Sequence, residues 1–269
     1  MKIYAIKDES ISRQKTLAYL FYYENAKSFY IEIPSDADYW ETPLLLSSFV
    51  KKGIYTIGRA YSLMWVSQRI IPRDRQNLGQ ILKDNHLTEY DEFSLLLLAE
   101  GRCAQDDCYI EEATIEDIPE DIKERWKMKI EEAIPTEDNL LLFFCNKESG
   151  VIHTEVLLES HPECRPYLSN KDRFPLLKVQ PGGYGIYWSE NAEISNTDLY
   201  HSCTRLPLQL SDFTDFVKYG LLSTSEACSI LDCSRQNIDD LVKRDKLHPI
   251  RTDAKNKLFL KNEIIQRVK

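Results

Sequence analysis

The sequence predicts an α+β protein in three parts: a mixed N-terminal domain over residues 1–133, a small strand-rich α+β domain over 134–210, and a C-terminal winged helix-turn-helix over 215–269. Three observations predict it. Aromatic and β-branched runs alternate with apolar i, i+3, i+4 patterns through the first part. Two strand–turn–strand patterns fall in the second. Two short capped helical patterns, joined by a tight turn, open the third. A chain of 269 residues that is 43% hydrophobic suits two or three cores.

In the first part, "SFYIEI" (Ser28 to Ile33) predicts a strand. Asp74 is placed to cap a helix whose apolar face is Leu78, Ile81 and Leu82. A second helix is expected over Tyr90 to Glu100, stopping at Gly101. "DIPEDIKERWKMKIEEAIP" reads as one charged helix ending before Pro135. In the second part, "NLLLFFC" and "VIHTEVLL" are expected as strands around a turn at Lys147 to Gly150. "LLKVQPGGYGIYW" repeats the arrangement around Pro181-Gly182-Gly183, where glycine supplies positive φ at little cost. The Gly-Gly pair is not a phosphate loop, for neither the helix nor the lysine of that motif follows it.

In the third part, Ser223-x-x-Glu226 is a capping box with Ala227, Ile230 and Leu231 behind it. Asp232-Cys233 makes the turn. Ser234 caps a second helix that packs through Ile238, Leu241 and Val242. "HPIRT" and "KLFL" predict a hairpin, the wing, and "KNEIIQRV" a closing helix.

Charge separates the parts. The whole chain is −9. From Leu221 onward 10 Lys/Arg face 7 Asp/Glu, which is +3, so the remainder is −12. A basic tail on an acidic body points to nucleic acid as the tail's partner. No apolar run reaches the ~18 residues of a membrane span, and "MKIYAIKDES" lacks a secretory apolar core. The expectation is a cytoplasmic protein with no membrane partner. Seven cysteines without a C-x-x-C read as buried reduced thiols, so neither a metal nor a cofactor is expected. His161 and Cys164 in "HPEC" lack further ligands. His153 and Glu155 lack a third partner, so no catalytic residue is assigned.

The segment "STSEACSILDCSRQNIDDLVKRDKLHPI", then "NKLFL", then a helix from Lys261, resembles the excisionase/MerR type of winged helix-turn-helix. The resemblance covers about 48 residues. It implies that the second helix lies in the major groove of double-stranded DNA and the wing lies over phosphate. By that mapping Ser234, Arg235, Gln236 and Asn237 stand at the reading end. Lys243 meets phosphate at the far end, and Arg251, Lys255 and Lys257 meet it from the wing. Arg can bond a guanine edge in bidentate fashion, and Gln or Asn an adenine edge. Asp232 and Asp245 occupy places where the family usually has glycine. Asp239 is set four residues from Arg235, close enough to hold it.

Two other stretches carry resemblances. "NLLLFFCNKESGVIHTEV" with "GGYGIYWSENAEISNTDLY" is similar to a small bacterial α+β domain family of unknown function found near toxin–antitoxin genes. "IIPRDRQNLGQIL" followed by "YDEFSLLLLAEGR" has a fainter likeness to the front subdomain of HipA-type toxin kinases, though no kinase motif follows.

"RQNLGQILKDNHL" at Arg75 copies "RQNIDDLVKRDKL" at Arg235 in five of thirteen positions. Pro72 precedes the first copy and no wing follows it, so Arg235 is taken as the reader and Arg75 as a look-alike. The function expected is a sequence-specific DNA-binding transcriptional regulator of an antitoxin or mobile-element type. It would pair as a homodimer through residues 1–205, with a toxin or other protein as a further partner. The alternative is an adaptor whose tail binds a protein.

Overall fold

A computed structural model describes residues 1–11, 15–253, 256–265 and 267. The chain divides into two compact units, 1–146 with 150–205, and 147–149 with 206–269. The fold has both helices and strands, as the composition pattern predicts.

The first unit opens with three antiparallel strands, β1 (Lys2–Asp8), β2 (Ala18–Tyr23) and β3 (Ser28–Glu32). Helix α1 (Leu44–Val50), the short strand β4 (Thr56–Ile57), α2 (Arg59–Ser67), α3 (Leu78–Asp84) and α4 (Glu92–Leu98) follow. Strand β5 (Cys108–Ala113) closes a sheet of order β4-β3-β2-β1-β5. Alternation of side chains sends Tyr4, Ile6, Leu20 and Ile31 to one face, where Trp65 and Leu96 of the helices cover them. Ile3, Ala5, Phe21 and Tyr30 go to the other face, against Ile122 and Tyr184. Both faces are therefore buried.

Helix α5 (Glu120–Trp126), strands β6 (Ile130–Pro135), β7 (Asn139–Phe144) and β8 (Ser149–His153), and helices α6 (Thr154–Ser160) and α7 (Arg165–Leu168) come next. Strands β9 (Lys178–Val179), β10 (Gly185–Ser189) and β11 (Ala192–Ser195), helix α8 (Asn196–Ser202) and β12 (Thr204–Leu206) complete the series. They form sheets of order β12-β8-β7-β6 and β11-β10-β9. Ile130, Leu142, Phe144, Ile186 and Leu199 share their core.

Three expectations change here. The charged helix stops at Lys127, and "IEEAIP" is strand β6, paired with β7 through a bulge between Ile130 and Glu132. Burial of Ile130 and Ala133 on the sheet overrides the helical preference of the glutamates. "VIHTEVLL" is a strand only to His153; from Thr154 it is helix, with Leu157 turned into the core. Asp74 caps nothing: α3 starts after Asn77 without a side-chain cap, and its apolar face is only half-buried. The helix expected over Tyr90 to Glu100 is present in its centre. The Asp91 carboxylate accepts the Ser94 N–H at 2.9 Å, and Gly101 follows at φ +69°.

Residues 133 and 134, between which the sequence places a domain boundary, both lie in the first compact unit. The join is aromatic. Tyr184 stacks on Tyr30 with ring centres 4.0 Å apart and planes 7° off parallel. Gly183 makes the approach possible: it has φ +76°, and a Cβ there would stand 2.5 Å from the Ile130 carbonyl oxygen.

The second unit begins with α9 (Leu210–Asp215), which runs into one π-helical turn over Phe216–Gly220. Strand β13 (Leu221–Ser223), helices α10 (Thr224–Leu231) and α11 (Arg235–Lys243), strands β14 (Arg251–Thr252) and β15 (Lys257–Leu260), and helix α12 (Lys261–Ile265) follow. The sheet order is β13-β15-β14, so the wing hairpin gains a third strand that the sequence did not reveal. Leu222, Ala227, Ile238, Leu247, Phe259 and Ile264 form its core.

All seven cysteines are free thiols, but only Cys108 and Cys164 are buried. Burial pushes the Cys108 thiol up to about 12 and the Cys164 thiol to about 11. Among the described residues no helix is long and apolar enough to cross a membrane, and no group of three or more His, Cys, Asp or Glu could hold a metal ion. His153 is exposed just before α6, and His161 lies 3.3 Å from Glu163.

Candidate nucleic-acid interface

The helix pair is built by local chemistry. Ser223 Oγ accepts the Glu226 N–H, and the Glu226 carboxylate accepts the Ser223 N–H at 2.8 Å, a complete capping box at the start of α10. Those bonds hold the Glu226 carboxyl below its usual range. At the other end Asp232 turns left-handed, at φ +47° and ψ +51°. The Cys233 N–H then reaches the Cys228 carbonyl at 3.0 Å, the six-to-one bond of a Schellman turn. Ser234 resumes extended geometry and caps α11 by accepting the Asn237 N–H. A second left-handed residue, Asp245 at φ +54°, ends α11 and lets Leu247 enter the core.

Along α11, Ile238 is fully buried and Leu241 and Val242 are half-buried, while Arg235, Gln236, Asn237 and Lys243 are exposed. The four residues mapped to the reading end thus fall together on one helix start. Ser234 is committed to the cap. Arg235 Nη2 donates to Ser225 Oγ at 2.8 Å, so its guanidinium lies back along α10. The carboxamides of Gln236 and Asn237 have no hydrogen-bond partner among the described residues. A guanidinium and two carboxamides at one helix start can form paired hydrogen bonds with base edges. The neighbouring backbone N–H groups favour an anion.

The wing is tied to both helices. The Lys257 N–H donates to Thr224 Oγ1 at 3.1 Å, which anchors β15 to the first turn of α10. The Lys257 ammonium pairs with Asp239 of α11 and holds that carboxyl below its usual range. This corrects one expectation. Asp239 does not hold Arg235; a side chain at the first helical position points back towards the preceding turn, away from position i+4. Lys257, mapped as a phosphate contact, is half-buried and already paired with a carboxylate. Arg251 is exposed on the wing, 3.4 Å from Asp253. Lys255 lies outside the described residues. His248 and its own N–H both meet the Glu263 carboxylate at 3.0 Å, joining the start of the wing to α12.

Ser225, Thr224 and the His248–Glu263 pair were not singled out from the sequence. Ser225 and Thr224 stand inside the capping box, where a polar residue is ordinary. Only the return of the wing and of Arg235 gives them partners.

The look-alike helix differs at each point. Arg75 Nε bonds Asn77 Oδ1 at 3.0 Å, and no hairpin follows α3 before α4. No family model, no curated protein and no solved structure matches the chain.

Proposed function

We propose that the chain is a sequence-specific DNA-binding transcriptional regulator whose second unit reads double-stranded DNA with the start of α11. One observation carries the reading. A capped helix pair with a braced wing leaves Arg235, Gln236 and Asn237 exposed together at a helix N-terminus. The charge supports it, since the stretch from Leu221 is +3 on a chain of −9. Residues 1–205 supply pairing of two copies or contact with a protein such as a toxin. Regulation of an antitoxin or mobile-element type is the finer form of the same proposal.

The test is an electrophoretic shift with genomic fragments at two salt concentrations, followed by selection of sites from a random DNA pool. A regulator shifts DNA in a salt-dependent way and enriches one motif. An adaptor that uses this surface for protein gives no salt-dependent shift and no motif.

A further inference from the structure

A cavity of about 400 Å³ opens within the first unit, among the 53–58 segment, α5, the turn before β10, and the start of α8. Its hydrogen-bonding inventory is lopsided. Gln180 and Asn196 are 6% and 5% exposed, and both line it. Gln180 turns its Nε2 to Glu193 Oε2 at 2.8 Å, and Asn196 its Nδ2 to the Met128 carbonyl at 3.2 Å. Each amide oxygen is then left with no partner among the described residues. Thr56 gives its hydroxyl to Glu32 at 2.8 Å. Arg125 also lines the cavity, its nitrogens bonded to Glu32, Asp121, Ser35 and the Ile33 carbonyl. Neither oxygen is among the sealed unpaired atoms of the unit, so both face accessible space and can take a donor from a ligand.

The charge points the same way. Glu193 and Asp198 both line the cavity. Glu193 Oε1 accepts no hydrogen bond among the described residues, and the nearest cation, Arg59 Nη2, is 3.9 Å from Oε2. Burial raises the Glu193 carboxyl above its usual range, against the smaller pulls of Arg59 and Gln180. Tyr55, Met128, Tyr184 and Ile54, the last 43% exposed, add apolar surface to the wall, beside the polar Ser195 and Thr197.

We infer that this cavity binds a small primary amine carrying a flat apolar body. The ammonium's three N–H donors would meet Glu193 and the oxygens of Gln180 and Asn196, and the body would lie against Tyr55 and Met128. An anion finds two carboxylates there, and a neutral alcohol offers one donor where three acceptors wait. The cavity volume falls in the range of small-molecule sites. This site is separate from the helix pair and does not depend on its assignment.

The test is isothermal calorimetry on the full chain with 2-phenylethylamine as probe, beside 2-phenylethanol and 3-phenylpropanoate, each to about 10 mM. The expected result is binding of the amine, with the alcohol and the carboxylate at least about tenfold weaker. Glu193→Gln should weaken the amine by about ten- to a hundredfold, the size of one charge-assisted hydrogen bond. Glu190→Gln, an exposed carboxylate outside the cavity, should leave it unchanged. Should Glu193→Gln fold poorly by its thermal midpoint, the ranking of the three probes on the wild-type chain decides alone. The inference is overturned by no binding of the amine, by equal binding of the alcohol or carboxylate, or by undiminished binding in a folded Glu193→Gln.

Discussion

At the scale of the residue, Arg235 and Lys257 make opposite cases. Arg235 is exposed and held by one hydroxyl, from which a base edge could draw it. Arg235→Ala should cost about 1–3 kcal/mol on the best site and relax the preference at one base pair, and Gln236→Ala should do so at a neighbouring position. Arg75→Ala should leave both unaltered. Site selection with the three variants checks this, and loss of preference in Arg75→Ala alone would reverse the assignment. Lys257 is spent on Asp239. Lys257→Ala should therefore leave the salt slope of binding unchanged, whereas Arg251→Ala should lower it by roughly 1. A drop of that size in Lys257→Ala would mean that its ammonium leaves Asp239 for a phosphate.

At the scale of the element, α10 and α11 depend on caps and left-handed turns more than on length. Both are too short to persist alone. Ser234→Ala removes the acceptor of the Asn237 N–H and should cost about 0.5–2 kcal/mol in urea unfolding. Asp232→Gly and Asp245→Gly should stabilise the unit by up to about 1 kcal/mol each, because glycine adopts φ of +47° or +54° without the Cβ penalty. Asp232→Ala should destabilise it by relinquishing the side chain's tolerance of that conformation. The same denaturant curves rank all four variants.

At the scale of the whole molecule, the first unit closes over a lysine. Lys129 is 7% exposed, its ammonium 3.9 Å from the centre of the Tyr184 ring and 4.4 Å from that of Trp126. Burial lowers it from 10.5 to about 8. Between those values the unfolded chain binds the proton more readily, so this group's contribution to stability increases as pH rises above about 8. Cys108 acts in the opposite sense from about 9 upward, since its thiol ionises more readily unfolded than folded. Urea midpoints between pH 7 and 9 should rise in the wild type relative to Lys129→Met, and parallel profiles would remove Lys129 as the cause. The second prediction at this scale is assembly. Readers built on one short helix commonly pair to span two half-sites about one helical turn apart. The full chain should be a dimer by light scattering with DNA present, and residues 206–269 alone a monomer that binds far more weakly. A full chain that stays monomeric with and without DNA would end the pairing proposal.

The sequence by itself determined what neighbours in the chain decide. The capping box at Ser223, the cap at Ser234 and the apolar stripe Ile238-Leu241-Val242 were all legible, because each involves groups within a few residues of one another, whereas the left-handed Asp232 and Asp245 were suggested only by the resemblance, which has glycine at both places. The strand in "SFYIEI" and the stop at Gly101 were legible for the same reason. Only the tertiary structure decided that "IEEAIP" is a strand, since a run of glutamates favours a helix until β7 offers Ile130 and Ala133 a buried face. Only it gave Asp239 to Lys257, and Tyr184 to Tyr30. It also gathered Gln180, Glu193 and Asn196 around one cavity, each with one side-chain oxygen that no donor among the described residues meets. These are meetings of distant segments, and a polar residue in sequence carries no mark of which distant group will satisfy it.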